Sequence, residues 1–222
     1  MEIRSEIGEK TMKLQLAIDR VTIEKADKII EETLDYVDII EIGTSLIKDY
    51  GLEGSIKYIK KKYPNGCFLV DLKTCDEGAY EFQRVYECGG DIPTVMGFSS
   101  IATLKACKEI ADRYEKEYMI DLLEITDEKL EILKKEFAEA IFCIHLSSDD
   151  KGEGLETYIK EMKQKLNGIK KIAVAGGVHV DIIKQLKDAD IYIAIVGSAI
   201  LKAKDIRTEA KLYYEKIKER KC

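Results

Sequence analysis

Phe68-Leu69-Val70-Asp71-Leu72-Lys73-Thr74-Cys75-Asp76 is an apolar run that ends in three charges of alternating sign. Read as a strand entering a loop, it sets Phe68 and Val70 on one face and Leu69, Asp71 and Lys73 on the other, because side chains alternate with a period of two. A carboxylate and an ammonium then project together from the tip of the strand. Two readings are open at this point. One is a solvated ion pair, which contributes little. The other is a reactive pair, because charges taken out of water need a partner, hydrogen bonds or a metal, and a strand tip is where an α/β enzyme carries its chemistry.

Similar runs recur on either side of this one: Leu14–Ile18, Val37–Ile42, Cys67–Leu72, Asp91–Met96, Glu117–Leu122, Ile141–Leu146, Lys171–Ala175 and Ile191–Val196. Each is followed by a segment whose apolar residues return at three- and four-residue steps, as in Ile23–Thr33, Gly54–Lys62 and Gly154–Leu166, which predicts a helix. Strands apolar on both faces suit a parallel sheet covered by helices, and eight β-α units in a chain of 222 residues predict a single-domain (β/α)8 TIM barrel. An open doubly wound sheet is the alternative architecture. The barrel is expected over residues 13–222, with residues 1–12 as a flexible N-terminal arm.

The composition supports one globular domain, with 45% hydrophobic residues, 15 glycines and two prolines. A net charge of −6, and no basic stretch interleaved with aromatics, argue against a nucleic-acid partner. An anionic ligand would need local help from backbone N–H groups, a lysine or a metal. The six cysteines form no CxxC pair, so neither a disulfide framework nor a zinc site is expected. No apolar run is long enough to span a membrane and the first residues do not read as a signal peptide, which predicts a cytoplasmic protein.

In a barrel the strand ends form one mouth, which here reads Asp19, Glu41, Asp71 with Lys73, Met96-Gly97, Asp121, His145, Gly176-Gly177 and Gly197-Ser198. Glycines after the seventh and eighth strands suit a phosphate, since backbone N–H groups can approach the anion there. Glu41 and Asp71, on adjacent strands, offer the hard oxygens that Mg²⁺ prefers, although one of them could simply pair with Lys73. His145 ends an apolar strand and could exchange protons near neutrality, or be a structural histidine.

Leu16-Ala17-Ile18-Asp19, Glu41-Ile42-Gly43-Thr44, the Asp-x-Lys-x-x-Asp of Asp71, Lys73 and Asp76, Ala175-Gly176-Gly177 and Val196-Gly197-Ser198 together resemble the orotidine 5′-monophosphate decarboxylase suprafamily. Within it the chain is most similar to the 3-hexulose-6-phosphate synthase branch, with the 3-keto-L-gulonate-6-phosphate decarboxylases as the sister branch. The resemblance runs from Met12 onward. Glu41 disfavours the nucleotide decarboxylases, which usually carry lysine there.

The resemblance implies an aldehyde-lyase of the ribulose monophosphate pathway, condensing formaldehyde with ribulose 5-phosphate, and the reverse. Glu41 and Asp71 would hold Mg²⁺ against an enediolate, Lys73 would add positive charge, and His145 would move the proton. Asp19 would bind substrate hydroxyls, while Gly176, Gly177, Gly197 and Ser198 would hold the phosphate. Asp76 would reach the site of the second subunit in a homodimer. A decarboxylase of another sugar phosphate and a non-catalytic sugar-phosphate binder are the alternatives. Two features depart from the family pattern. After the sixth strand the chain reads His145-Leu146-Ser147-Ser148-Asp149-Asp150-Lys151, which argues against the ketogulonate decarboxylases, and Pro93 sits inside the fourth strand, where it is expected to bend the sheet near Met96-Gly97.

Overall fold

In the computed structural model, which describes residues 12–147 and 154–219, eight strands close on one another in chain order with every neighbouring pair parallel. They are β1 (Lys13–Ile18), β2 (Ile39–Ile42), β3 (Phe68–Thr74), β4 (Ile92–Met96), β5 (Met119–Asp121), β6 (Ile141–His145), β7 (Ile172–Ala175) and β8 (Ile193–Val196). The pairing of β1 with β8, Lys13 opposite Ile193 and Leu16 opposite Val196, closes the barrel and excludes the open sheet. Between them run α1 (Ile23–Thr33), α2 (Thr44–Leu52), α3 (Tyr58–Lys62), α4 (Gly78–Glu87), α5 (Ile101–Tyr114), α6 (Asp127–Glu136), α7 (Leu155–Lys165), α8 (Ile183–Asp188), α9 (Ser198–Leu201) and α10 (Ile206–Lys218). Residues 1–11 of the expected arm, the segment Ser148–Lys151 and Cys222 lie outside the described residues. Met12, the last residue assigned to the arm, is buried with the core.

Two apolar layers follow from the strand alternation. Leu14, Leu16, Ile18, Phe68 and Val70 face outward into the layer shared with the helices. Ile39, Leu69, Ile92, Met119, Ile141 and Ile193 face inward and fill the barrel. The expected split of Phe68 and Val70 from Leu69 therefore holds. At the N-terminal end of the strands two aspartates tie neighbours together: Leu14 N–H donates to Asp38 Oδ2 at 2.8 Å, and Phe68 N–H donates to Asp91 Oδ2 at 3.0 Å. Lys218 Nζ, at the end of α10, lies 3.6 Å from Asp38 Oδ1.

α1 begins and ends where the sequence periodicity places it, with Thr22 accepting from Lys25 N–H at its start. The helix expected over Gly54–Lys62 differs. It is the second part of a longer element, in which α2 breaks at Gly51 (φ 65°), passes through a π-helical turn at Glu53–Lys57, and continues as α3. Ser55 Oγ donates to the Gly51 carbonyl at 2.5 Å across this break.

Pro93 acts on β3 rather than on Met96-Gly97. Asp91 N–H donates to the Phe68 carbonyl at 2.9 Å, and the next donor of that series would be residue 93, which as proline has none. There the register slips: Val70 stands opposite Pro93, but Thr74 stands opposite Val95. Asp71, Leu72 and Lys73 thus bulge opposite Thr94 alone.

Candidate active site

The bulge fixes the first two site residues. Lys73 takes φ 51°, a left-handed value uncommon for a residue with a side chain. Thr94 Oγ1 holds both ends of the excursion, accepting from Lys73 N–H at 3.0 Å and donating to Asp71 Oδ1 at 3.0 Å. Thr44 Oγ1, at the start of α2, donates to Asp71 Oδ2 at 2.8 Å. Asp71 is 8% exposed and Lys73 Nζ lies 3.0 Å from its Oδ2, so the pair forms, and it is not the solvated pair of a surface loop.

Lys73 also reaches Asp121, at the end of β5, with Nζ 3.3 Å from Oδ2. The same Asp121 oxygen lies 2.8 Å from His145 Nδ1, while Leu123 N–H donates to Oδ1 at 2.9 Å. Asp71, Lys73, Asp121 and His145 form one continuous polar chain across the mouth. Asp121 is 4% exposed, and burial alone would raise its pKa. Its hydrogen bond and attraction to His145, the Lys73 charge and the Leu123 N–H outweigh that and keep it below the ordinary carboxylate range. Burial likewise disfavours the Lys73 ammonium, but the negative charges of Asp71 and Asp121 prevail and raise its pKa. Sequence reasoning placed Asp121 at the mouth without a role. The signal available was its position at a strand end level with Asp71 and His145.

Glu41 stands on β2 in register with Leu69 of β3. Burial first, and then the charge of Asp71, push its carboxyl up to about 8. Such a carboxylate pair is short of positive charge, which is the condition a divalent cation relieves. Among the described residues no group of three or more His, Cys, Asp and Glu side chains forms a ready-made metal cage. Mg²⁺ needs none, since it often takes one or two protein carboxylates and completes its shell with water and substrate oxygens. Glu41 and Asp71 therefore fit as its ligands.

Asp19 reaches the mouth from the end of β1, but its Oδ1 is engaged at the start of α2, accepting from Ser45 N–H at 3.0 Å and from Ser45 Oγ. Gly43 permits that approach, since a Cβ there would lie 2.7 Å from the Asp19 side chain. On the far side Gly176 (φ 92°) and Gly177 (φ 72°) follow β7, and Gly197 and Ser198 follow β8. A Cβ at Gly176 would come within 2.1 Å of the Leu146 carbonyl oxygen, whereas at Gly177 it would meet nothing within 4 Å among the described residues. Asp76 is not brought to the other charges. It is exposed, and its Oδ1 accepts from the N–H of its neighbour Glu77 at 2.9 Å.

A cavity of about 430 Å³ lies near the opposite end of the strands, lined by Leu34, Asp38, Lys62 and Cys67 among others. Its charged groups are engaged, Lys62 with Asp27 at 2.6 Å and Asp38 with Leu14 N–H, so the reactive arrangement belongs to the mouth. No helix among the described residues is long and apolar enough to cross a membrane.

Known proteins share this frame. The chain is 34% identical over 200 residues to the 3-hexulose-6-phosphate synthase of Bacillus subtilis (strain 168), spanning 87% of this chain and 93% of that protein. It is 35% identical over 196 residues to the synthase of Methylomonas aminofaciens, spanning 86% and 92%. The crystal structure of the Salmonella typhimurium synthase superposes with a TM-score of 0.85 at 31% identity, over 93% of this chain and 98% of that one. A sequence profile of the orotidine 5′-phosphate decarboxylase / HUMPS family matches residues 12–213. With that span and these relatives, the chain is a lyase-type enzyme and belongs to the orotidine 5′-phosphate decarboxylase / HUMPS family.

Proposed function

We propose that the protein is a Mg²⁺-dependent 3-hexulose-6-phosphate synthase, joining formaldehyde to C1 of ribulose 5-phosphate and catalysing the reverse cleavage. The observation that carries this reading is the unbroken chain Asp71–Lys73–Asp121–His145, with contacts of 3.0, 3.3 and 2.8 Å, set beside Glu41. It is the equipment for removing a proton next to a carbonyl and holding the charge that results.

The ionised Asp121 can only accept, so His145 donates from Nδ1 and keeps Nε2 as the free base. Nε2 takes the C1 proton, the carbon left electron-rich attacks formaldehyde as its C=O π electrons move to oxygen, and the new alkoxide takes the proton back from Nε2. Glu41 and Asp71 would hold the cation, which would supply positive charge where the enediolate forms. Lys73, held as an ammonium, adds its own charge from the adjacent position, and one well-placed donor of this kind is worth roughly 3–4 kcal/mol. Asp19 Oδ2 serves the sugar hydroxyls, and the loops at Gly176-Gly177 and Gly197-Ser198 take the phosphate. The active unit is a homodimer in cytoplasm, in which exposed Asp76 serves the neighbouring subunit's site.

The test is consumption of formaldehyde with ribulose 5-phosphate, together with exchange of the C1 proton in D₂O. Both are expected to need Mg²⁺ and to fall at least ~10²-fold in Lys73→Ala. Turnover unaffected by a chelator would sink the metal assignment, and ligand binding without C1 exchange would reduce the protein to a binder.

A further inference from the structure

Gln15 is a buried amide in the barrel interior with one engaged end. It lies on β1, 0% exposed, level with Ile39 of β2 and Ile195 of β8. Its Nε2 donates to Glu41 Oε2 at 2.6 Å. Its carbonyl Oε1, equally buried, has no hydrogen-bond partner among the described residues. With a cation bound, Glu41 is ionised and only accepts, so the amide turns its N–H edge to it and leaves its own oxygen over. A buried acceptor without a partner is unfavourable, and Met or Leu would fill a similar volume without one. Packing therefore does not account for an amide at this position, and its single bond runs to Glu41.

We propose that Gln15 is a positioning residue for Glu41 as a ligand of a divalent cation. By engaging Oε2 from inside the barrel, it limits rotation of the carboxylate and leaves Oε1 as the oxygen available to the ion. Hydrogen bonds to the far side of a metal ligand commonly change metal affinity by about 10–100-fold. The inference rests on the reading of Glu41 and Asp71 as a metal pair, and deepens it.

Mn²⁺ titrated into the metal-free protein without substrate, with free ion read by its electron paramagnetic resonance signal, separates the two. Gln15→Met and Gln15→Leu remove the donor and the unpartnered oxygen together, and near-ultraviolet circular dichroism reports whether each variant folds. Folded variants are expected to bind Mn²⁺ ~10-fold or more weakly than the parent. A loss smaller than about threefold in either folded variant overturns the proposal, as does failure of both to fold, which would make the amide architectural. A parent chain that takes up no Mn²⁺ overturns the metal reading itself, and the role of Gln15 with it.

Discussion

Lys73 stays charged because two aspartates face it: Nζ is 3.0 Å from Asp71 and 3.3 Å from Asp121. An ammonium so placed is a fixed charge and not a proton acceptor, so the proposed mechanism gives the proton to His145. Asp121 then matters through the imidazole. In Asp121→Asn the fixed negative partner of Nδ1 is gone and the ring is free to adopt the other tautomer. C1 proton exchange, followed by NMR in D₂O, is expected to slow by about 10²–10⁴-fold while sugar-phosphate binding persists. Exchange at the parent's rate would show that His145 does not depend on this bond. Asp71 and Lys73 were legible in the sequence because two residues of one strand, spaced by two, share a face. The role of Asp121 was not, because its partners come from β3 and β6, and no local period encodes which strand ends meet.

At the scale of the element, β3 owes its active geometry to β4. Pro93 lacks the donor that would continue the ladder, and Thr94 Oγ1 holds the resulting bulge at both ends. Thr94→Val keeps the shape and removes the hydroxyl, stranding the Lys73 N–H and leaving Asp71 Oδ1 with Lys73 Nζ as its remaining donor. A loss of roughly 1–3 kcal/mol in urea unfolding is expected, together with slower turnover. A variant as stable as the parent would mean that the bulge holds itself. The proline was visible in the sequence, but its effect was assigned to its own strand. A missing donor is felt where its acceptor lies, on the neighbouring strand. The helix expected over Gly54–Lys62 differs for another reason: the chain breaks at Gly51 and then passes Gly54 within the π-helical turn at Glu53–Lys57, so one element spans what local periodicity shows only in part.

Across the whole molecule, the two ends of the barrel divide the work. The mouth gathers unbalanced charge, while the N-terminal end gathers matched charge. Asp91, with Lys60 Nζ at 3.1 Å and Lys116 Nζ at 2.5 Å, belongs to the second kind. Burial would raise its pKa, but Lys116, the Phe68 N–H and Lys60 outweigh that and lower it. A carboxyl lowered in the folded state stabilises above its unfolded pKa, about 3.9, and that stabilisation is lost as pH falls through the folded value. Asp91→Asn is expected to lose roughly 1.5–3 kcal/mol at pH 7 and to show a shallower decline of stability below about pH 4. Thermal melts across that range check it, and parallel curves for parent and variant would contradict it. The eight apolar runs made the β-α repeat legible in the sequence, but closure rested on the pairing of β1 with β8. Which acids cap which strands depended on register.

The link from Leu14 N–H through Asp38 to Lys218 brings the start of the first strand and the end of the last helix together at that same end, far from the mouth. The barrel is thus nearly a ring of chain, and the choice of first residue is close to arbitrary. A circular permutant that joins residue 219 to residue 12 through a short flexible linker, and opens between exposed Asn167 and Gly168, leaves every mouth loop covalently intact. It is expected to fold and to retain C1 exchange within about tenfold of the parent. The order in which the eight units are synthesised would then be separable from the chemistry they enclose.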